Sequence, residues 1–206
     1  MINQWFRRVR DKEFMAKYPA HLVLTIETKS PIELADFVSA FTSIAGQYED
    51  FIRKDYPALK SESKMYITEV RQGSIQADLI PFLASVAGPA IVAMDQAMII
   101  EQFVRVYGSR LLAYLQGGRL ETATKGDLKD FMGQIVAIAN DPDGTATLES
   151  VQYEDGKRQV RASVKFTTRE ARVGVQAIED QRREMDRKTS ADFERVLMVF
   201  SQSNTD

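Results

Sequence analysis

A chain of this size does chemistry with a nucleophile beside a base, a cluster of metal ligands, or an acid and a base sharing a pocket. The sequence holds no cysteine and a single histidine, His21. Thiolate nucleophiles, disulfides, zinc–thiolate sites and iron–sulfur clusters are excluded together, and a catalytic triad has only His21 to draw on. His21 stands at the entrance of an alternating strand, where a strand-edge or structural role is expected rather than that of a general base. Carboxylates remain. Glu69 and Asp78 fall on facing strands of an expected hairpin, as a metal-dependent nuclease requires, but the same pair suits a solvated hairpin face, which is the reading adopted. The turn Asp141-Pro142-Asp143-Gly144 has the acidity of a calcium loop without its spacing. With Gly144 at loop position 6, positions 1 and 12 fall on Ala139 and Ser150, which carry no carboxylate. Gly117-Gly118 lacks the Lys-Ser/Thr continuation of a phosphate-binding loop. No catalytic, cofactor-binding or metal-ligating residue is assigned, no cofactor is expected, and the chain is expected not to be an enzyme.

Two surfaces are left for recognition. From Leu79 to Ile100 the chain is apolar with one charge, Asp95. Its uncharged run, Leu79 to Met94, is shorter than the ~20 residues of a membrane-spanning helix, and Gly88-Pro89 interrupts it, so a membrane span is disfavoured. A helix starting there and carrying Ile91, Met94 and Met98 is apolar on more than one face. It is expected to be buried or to make a contact with another protein or a second copy of the chain, giving a homo-oligomer. The second surface is basic. Residues 157–188 contain ten basic and five acidic residues, a net +5 in a chain whose overall charge is −2. Arg161 and Lys165 share a strand face and Arg169 and Arg172 open the next helix, which offers nucleic-acid binding along a phosphate backbone as the alternative. No aromatic residue is interleaved for base stacking. A third alternative, a membrane-acting effector, would use 79–100 or the arm at 1–18, where Ile2, Trp5, Phe6 and Val9 oppose Arg7, Arg8, Arg10 and Lys12.

The elements that must position these residues follow from periodicity and turn chemistry. With 206 residues, 44% of them hydrophobic and 27% charged, the chain has material for one large domain or two small ones. Leu22, Leu24 and Ile26 alternate with Val23, Thr25 and Glu27 as a strand does. Ser30-Pro31-Ile32-Glu33 has capping-box spacing and predicts the start of a long helix with Leu34, Phe37, Val38, Phe41, Ile44, Ala45, Tyr48 and Phe51 on its apolar stripe. A hairpin is expected over Lys64–Val70 and Ser74–Ile80, then a helix to about Tyr107 and a separate helical turn from Arg110 to Leu115. Gln116 to Gly126 reads as a linker. Beyond it come a helix over about 125–139 after Thr124-x-x-Asp127, a hairpin closed by Asp155-Gly156 with Val160, Ala162, Val164 and Phe166 expected to point inward, and a charged helix opened by Thr167-x-x-Glu170. The expected fold is α+β: an N-terminal amphipathic helix at 1–18, a βαββα lobe at 19–116 and an αββαβ lobe at 124–203, antiparallel sheets with helices packed on one face. The first residues do not have the form of a secretory signal, and the cytoplasm is the expected compartment.

The segments Leu24-Thr25-Ile26-Glu27, Ser30-Pro31-Ile32-Glu33-Leu34 and Val70-Arg71-Gln72-Gly73-Ser74-Ile75 resemble a group of bacterial proteins of uncharacterised function, with a weaker likeness at Arg195-Val196-Leu197-Met198. The hairpin is also loosely similar to small α/β adaptor modules of bacterial conflict systems. The resemblance transfers no catalytic residue and implies an interaction role. In that group a further β segment usually follows the last strand. Phe193 to Phe200 is nearly continuous in apolar residues over its second half and is expected to pair in the second lobe's sheet beside the Asp155-Gly156 hairpin. Were no further β segment to follow, one edge would stay unpaired, and Leu197 is the candidate for partner capture by strand addition.

Overall fold

The computed structural model describes residues 20–57, 63–71, 75–83, 89–155 and 157–191. Five strands and four helices lie among them: β1 (Ala20–Glu27), α1 (Leu34–Asp55), β2 (Ser63–Arg71), β3 (Ile75–Leu83), α2 (Pro89–Leu115), α3 (Lys125–Ala139), β4 (Thr145–Glu154), β5 (Lys157–Thr167) and α4 (Thr168–Ala191). The arm at 1–18, the hairpin turn at 72–74, Gly156 and the segment 193–200 with Leu197 lie outside the described residues.

The α+β plan holds, but the two hairpins do not form two sheets. They are wings of one antiparallel sheet in the order β2-β3-β1-β4-β5. β1 joins them, pairing Leu22 with Leu79 on one side and with Ser150 on the other. The two halves thus share backbone hydrogen bonds across the expected linker. Leu22, Leu24, Ala77, Leu79, Leu148, Val164 and Phe166 on one face of the sheet share a single core with Phe41, Ile44 and Tyr48 of α1, Phe103 and Tyr107 of α2, Phe131 and Ile135 of α3, and Ile178 of α4. Each such large side chain stabilises the fold by about 1.5–3 kcal/mol on leaving water. The opposite face also has buried residues: His21, Val23 and Val151 are inaccessible and Asp78 is 2% exposed.

Residues 116–126, expected as a linker, are instead anchored at both ends. Gly117 takes φ +79° just past α2, a conformation that suits glycine. Its N–H bonds to the Tyr114 carbonyl at 2.8 Å, and that of Gly118 bonds to the Ala113 carbonyl at 2.8 Å. This pairing is a Schellman cap. Gln181 of α4 then grips the loop, its Nε2 donating to the Leu120 carbonyl at 2.7 Å and its Oε1 accepting from Tyr114 Oη at 3.0 Å.

Three local expectations change for stated reasons. α2 runs unbroken through Gly108, whose missing side chain leaves room for Val164 of β5; a Cβ there would sit 3.2 Å from the Val164 Cβ. The box at Ser30 does not cap α1. The helix starts at Leu34 with Glu33 as N-cap and no side-chain bond, because the Ser30 N–H is taken by Asp141 Oδ2 at 2.8 Å. Leu34 and Val38, expected on the buried stripe, are 74% and 48% exposed. In β5 the register shifts between Ser150 and Val151 of its partner strand, so Ala162 faces Ser150 while Val160 faces Val151 and Arg161 is the extra residue. Such a bulge inverts the alternation, which leaves Val160 exposed while Val164 and Phe166 stay buried.

A candidate binding cleft between α1 and α2

α1 and α3 pack closely because Gly133 faces Ser39 and Ser43: a Cβ on Gly133 would stand 2.4 Å from both hydroxyls. That approach brings Gln47 of α1 against the first turn of α3. The amide of Gln47 donates from Nε2 to Asp127 Oδ1 at 3.1 Å and to Asp130 Oδ2 at 3.0 Å. Its Oε1 accepts from Arg110 of α2 at 3.2 Å. Arg110 closes the ring, with Nη2 3.1 Å from Asp127 Oδ1 and its guanidinium 5.2 Å above the Phe131 ring. Asp127 has a second task. Its Oδ2 accepts from the Thr124 N–H at 2.9 Å while its own N–H bonds to Thr124 Oγ1 at 3.1 Å, the capping box expected from sequence.

The two carboxylates of this network are pushed in opposite directions. Burial acts to raise the Asp127 pKa, but the bonds from Thr124 and Gln47 and the Arg110 charge outweigh it and hold the group at about 2. Asp130 is raised, first by burial and then by the charges of Asp50 and Asp127, against the bond from Gln47. Opposed shifts of this kind occur in acid–base sites. Here, however, both groups bond to one amide, and neither borders the cleft described next.

A cleft of about 240 Å³ opens between α1 and α2 beside the network. Gln47, Asp50, Phe51, Lys54 and Asp55 form one wall, Phe103, Val106, Tyr107 and Arg110 the other, and Thr122 closes one end. Tyr107 stacks between Phe103 and Phe131, with ring centroids 5.4 and 5.5 Å away. Its hydroxyl is buried and finds no hydrogen-bond partner among the described residues, and the same is true of Tyr48. Burial raises the pKa of both phenols, so they stay protonated donors. Asp50 is paired with Arg53 on the next turn of α1.

The residues singled out in the sequence are scattered. Met98 is 64% exposed on α2. Ile91 and Met94 stand in the same helix, with side chains outside the described set. Arg161 is engaged by Gln152 at 3.0 Å and Glu154 at 2.8 Å. Arg172 caps α3, donating to the carbonyls of Ala139 at 2.9 Å and Asp141 at 3.1 Å. Of the four cations proposed for phosphate contacts, Lys165 and Arg169 are exposed with neither an ion pair nor a side-chain hydrogen bond among the described residues. Part of the basic excess at 157–188 is offset by β4, where Glu149 pairs with Arg158 and Glu154 with Arg161. Glu69 and Asp78 are register partners, but Asp78 is buried rather than on a solvated face, and the Glu69 side chain lies outside the described set. His21 is not at a sheet edge either: it is inaccessible in the central strand, with Nδ1 4.0 Å from Asp78 Oδ2. Asp141, read as part of a failed calcium loop, spends its carboxylate on the N–H groups of Lys29, Ser30 and Asp143.

Among the described residues no group of three or more His, Asp or Glu is placed to hold a metal ion, and no helix is long and apolar enough to cross a membrane. Compared with protein families, with curated proteins and with solved structures, the chain matches none.

Proposed function

We propose that this chain acts by binding, as a non-enzymatic interaction module whose first partner to test is a second copy of itself. The observation that supports this most directly is Met98, the most exposed large apolar side chain among the described residues of α2, 64% accessible where its neighbours Ile99 and Ile100 are buried. A flexible thioether presented on a rigid helix is a common element of adaptable contact surfaces. The state of the polar groups agrees. Beside the cleft, Asp127 is engaged by Arg110 and Gln47 and Asp130 by Gln47, which is how side chains are oriented rather than how a nucleophile is activated.

Light scattering across a concentration series tests the reading. Self-association is expected to appear with increasing concentration and to weaken by about tenfold or more in Met98→Glu, because a carboxylate would be desolvated in the contact. A wild-type chain that stays strictly monomeric at the highest concentration, or an association indifferent to Met98→Glu, removes it.

A further inference from the structure

On the α2 wall of the cleft, Arg110 and Tyr107 carry unspent donors. Gln47 is spent, both amide hydrogens and its oxygen engaged. Asp127 has donors on both oxygens. Arg110 has five N–H bonds, of which Gln47 and Asp127 account for two, leaving about three. The Tyr107 hydroxyl, buried on the α2 wall, is a donor with no acceptor among the described residues. A buried hydroxyl without a partner costs free energy, and an incoming acceptor recovers it. A ligand that engages these two residues must therefore offer an acceptor, of which a carbonyl oxygen is the commonest uncharged form.

Charge decides which oxygen. Arg110 is balanced by Asp127 at 3.1 Å, Asp50 is paired with Arg53, and Lys54 and Asp55 add one charge of each sign to the lining. Asp130 adds negative charge nearby, so an anion gains little and a carboxylate ligand is disfavoured against an uncharged carbonyl. The walls decide the rest of the ligand. Phe51, Phe103 and Tyr107 form an aromatic lining, and a volume of about 240 Å³ lies below the ~300–1,000 Å³ of drug-sized sites, which suits a single ring.

We propose that this cleft is a binding site for a small, uncharged, carbonyl-bearing molecule with a flat apolar body, its oxygen accepting from Tyr107 Oη and Arg110. The site goes beyond the interaction reading above and does not depend on it, since Met98 is no part of it.

Benzamide is the probe, with benzoate, benzylamine and toluene as matched comparators of the same ring. Binding is followed in the full chain by NMR shifts of the Thr122 amide and the Arg110 Nε–H. Benzamide is expected to give saturable shifts at both, and the other three to bind at least about tenfold more weakly. Tyr107→Phe keeps the ring stacking and should weaken benzamide about fivefold. Val106→Trp, which fills the mouth from a 40% exposed position, should abolish binding while leaving the fold intact. No saturable benzamide binding overturns the assignment. So does benzoate or toluene binding as well as benzamide, or undiminished affinity in Tyr107→Phe.

Discussion

Asp127 and Asp141 are both buried carboxylates held below their ordinary pKa, and they are satisfied in opposite ways. Asp141 is held by main chain. The N–H groups of Lys29 at 3.0 Å, Ser30 at 2.8 Å and Asp143 at 2.9 Å converge on it and overcome its burial. Such a carboxylate fixes the path of two loops, here the exit of β1 and the turn after α3. Asp127 takes one main-chain bond, from the Thr124 N–H, and adds side chains to it: Gln47, the Thr124 hydroxyl and Arg110. It positions those groups, and two of them line a cleft. Both aspartates support the fold, but only the second sits where donors remain unspent. Low pKa and burial do not separate a clasp from a site; the origin of the donors and the presence of an opening do.

Removing each carboxylate breaks the comparison differently. Asp141→Ala should give the largest loss of thermal stability of the substitutions considered, because three N–H donors lose their acceptor at once. Hydrogen exchange should show Lys29 and Ser30 losing protection while the amides of α3 keep theirs. Unchanged protection at Lys29 and Ser30 would contradict the clasp. Asp127→Ala should cost about 3 kcal/mol in urea unfolding at neutral pH, since it removes a helix cap and leaves Arg110 beside an aromatic ring without its counter-charge. The group's pKa is depressed, so its contribution is complete above the ordinary aspartate value and is lost as pH falls through about 2. Wild type and variant should therefore converge in strong acid.

How much of this was legible depends on how far apart the participants lie in sequence. The capping boxes at Thr124 and Thr167 involve partners three residues apart and form as read. The box at Ser30 has the same spacing and fails because Asp141, 111 residues away, claims the Ser30 N–H. Glycine is ambiguous in sequence: past Leu115, Gly117 ends α2 in a cap as the expected helix end requires, whereas Gly108, just past the expected end at Tyr107, lets the helix run on and pack closely. The strand alternation at Leu22, Leu24 and Ile26 was plain, whereas the β5 bulge that turns Val160 outward has no sequence mark. The cleft itself was missed. Gln47 is 80 residues from Asp127 and 63 from Arg110, and only packing of α1 against α3 joins them. A signal existed. Gln47 interrupts a run of buried apolar positions between Ile44 and Tyr48, and Arg110 lies between Tyr107 and Leu111. A polar residue on a buried helix stripe demands a partner.

The smallest expected effect separates the two members of the cleft network itself. Asp130 receives one bond from Gln47 and faces the charges of Asp50 and Asp127, so burial and repulsion together raise its pKa. The folded state then binds a proton more tightly than the unfolded one. Stability supplied by that proton is present at low pH and is lost as pH rises through the folded pKa, the reverse of the Asp127 case. At neutral pH the ionised Asp130 is a burden on the fold. Asp130→Asn keeps an oxygen for Gln47 and discards the charge, and should stabilise the protein by about 0.5 kcal/mol after allowance for solvent screening at this half-buried position. Urea midpoints of wild type and Asp130→Asn at neutral and acid pH measure this: the variant should lead at neutral pH and the gap should close in acid. A variant that is less stable at neutral pH would mean that Asp130 is a favourable anion, and the opposed pair at Gln47 would have to be redrawn as two carboxylates of one sign.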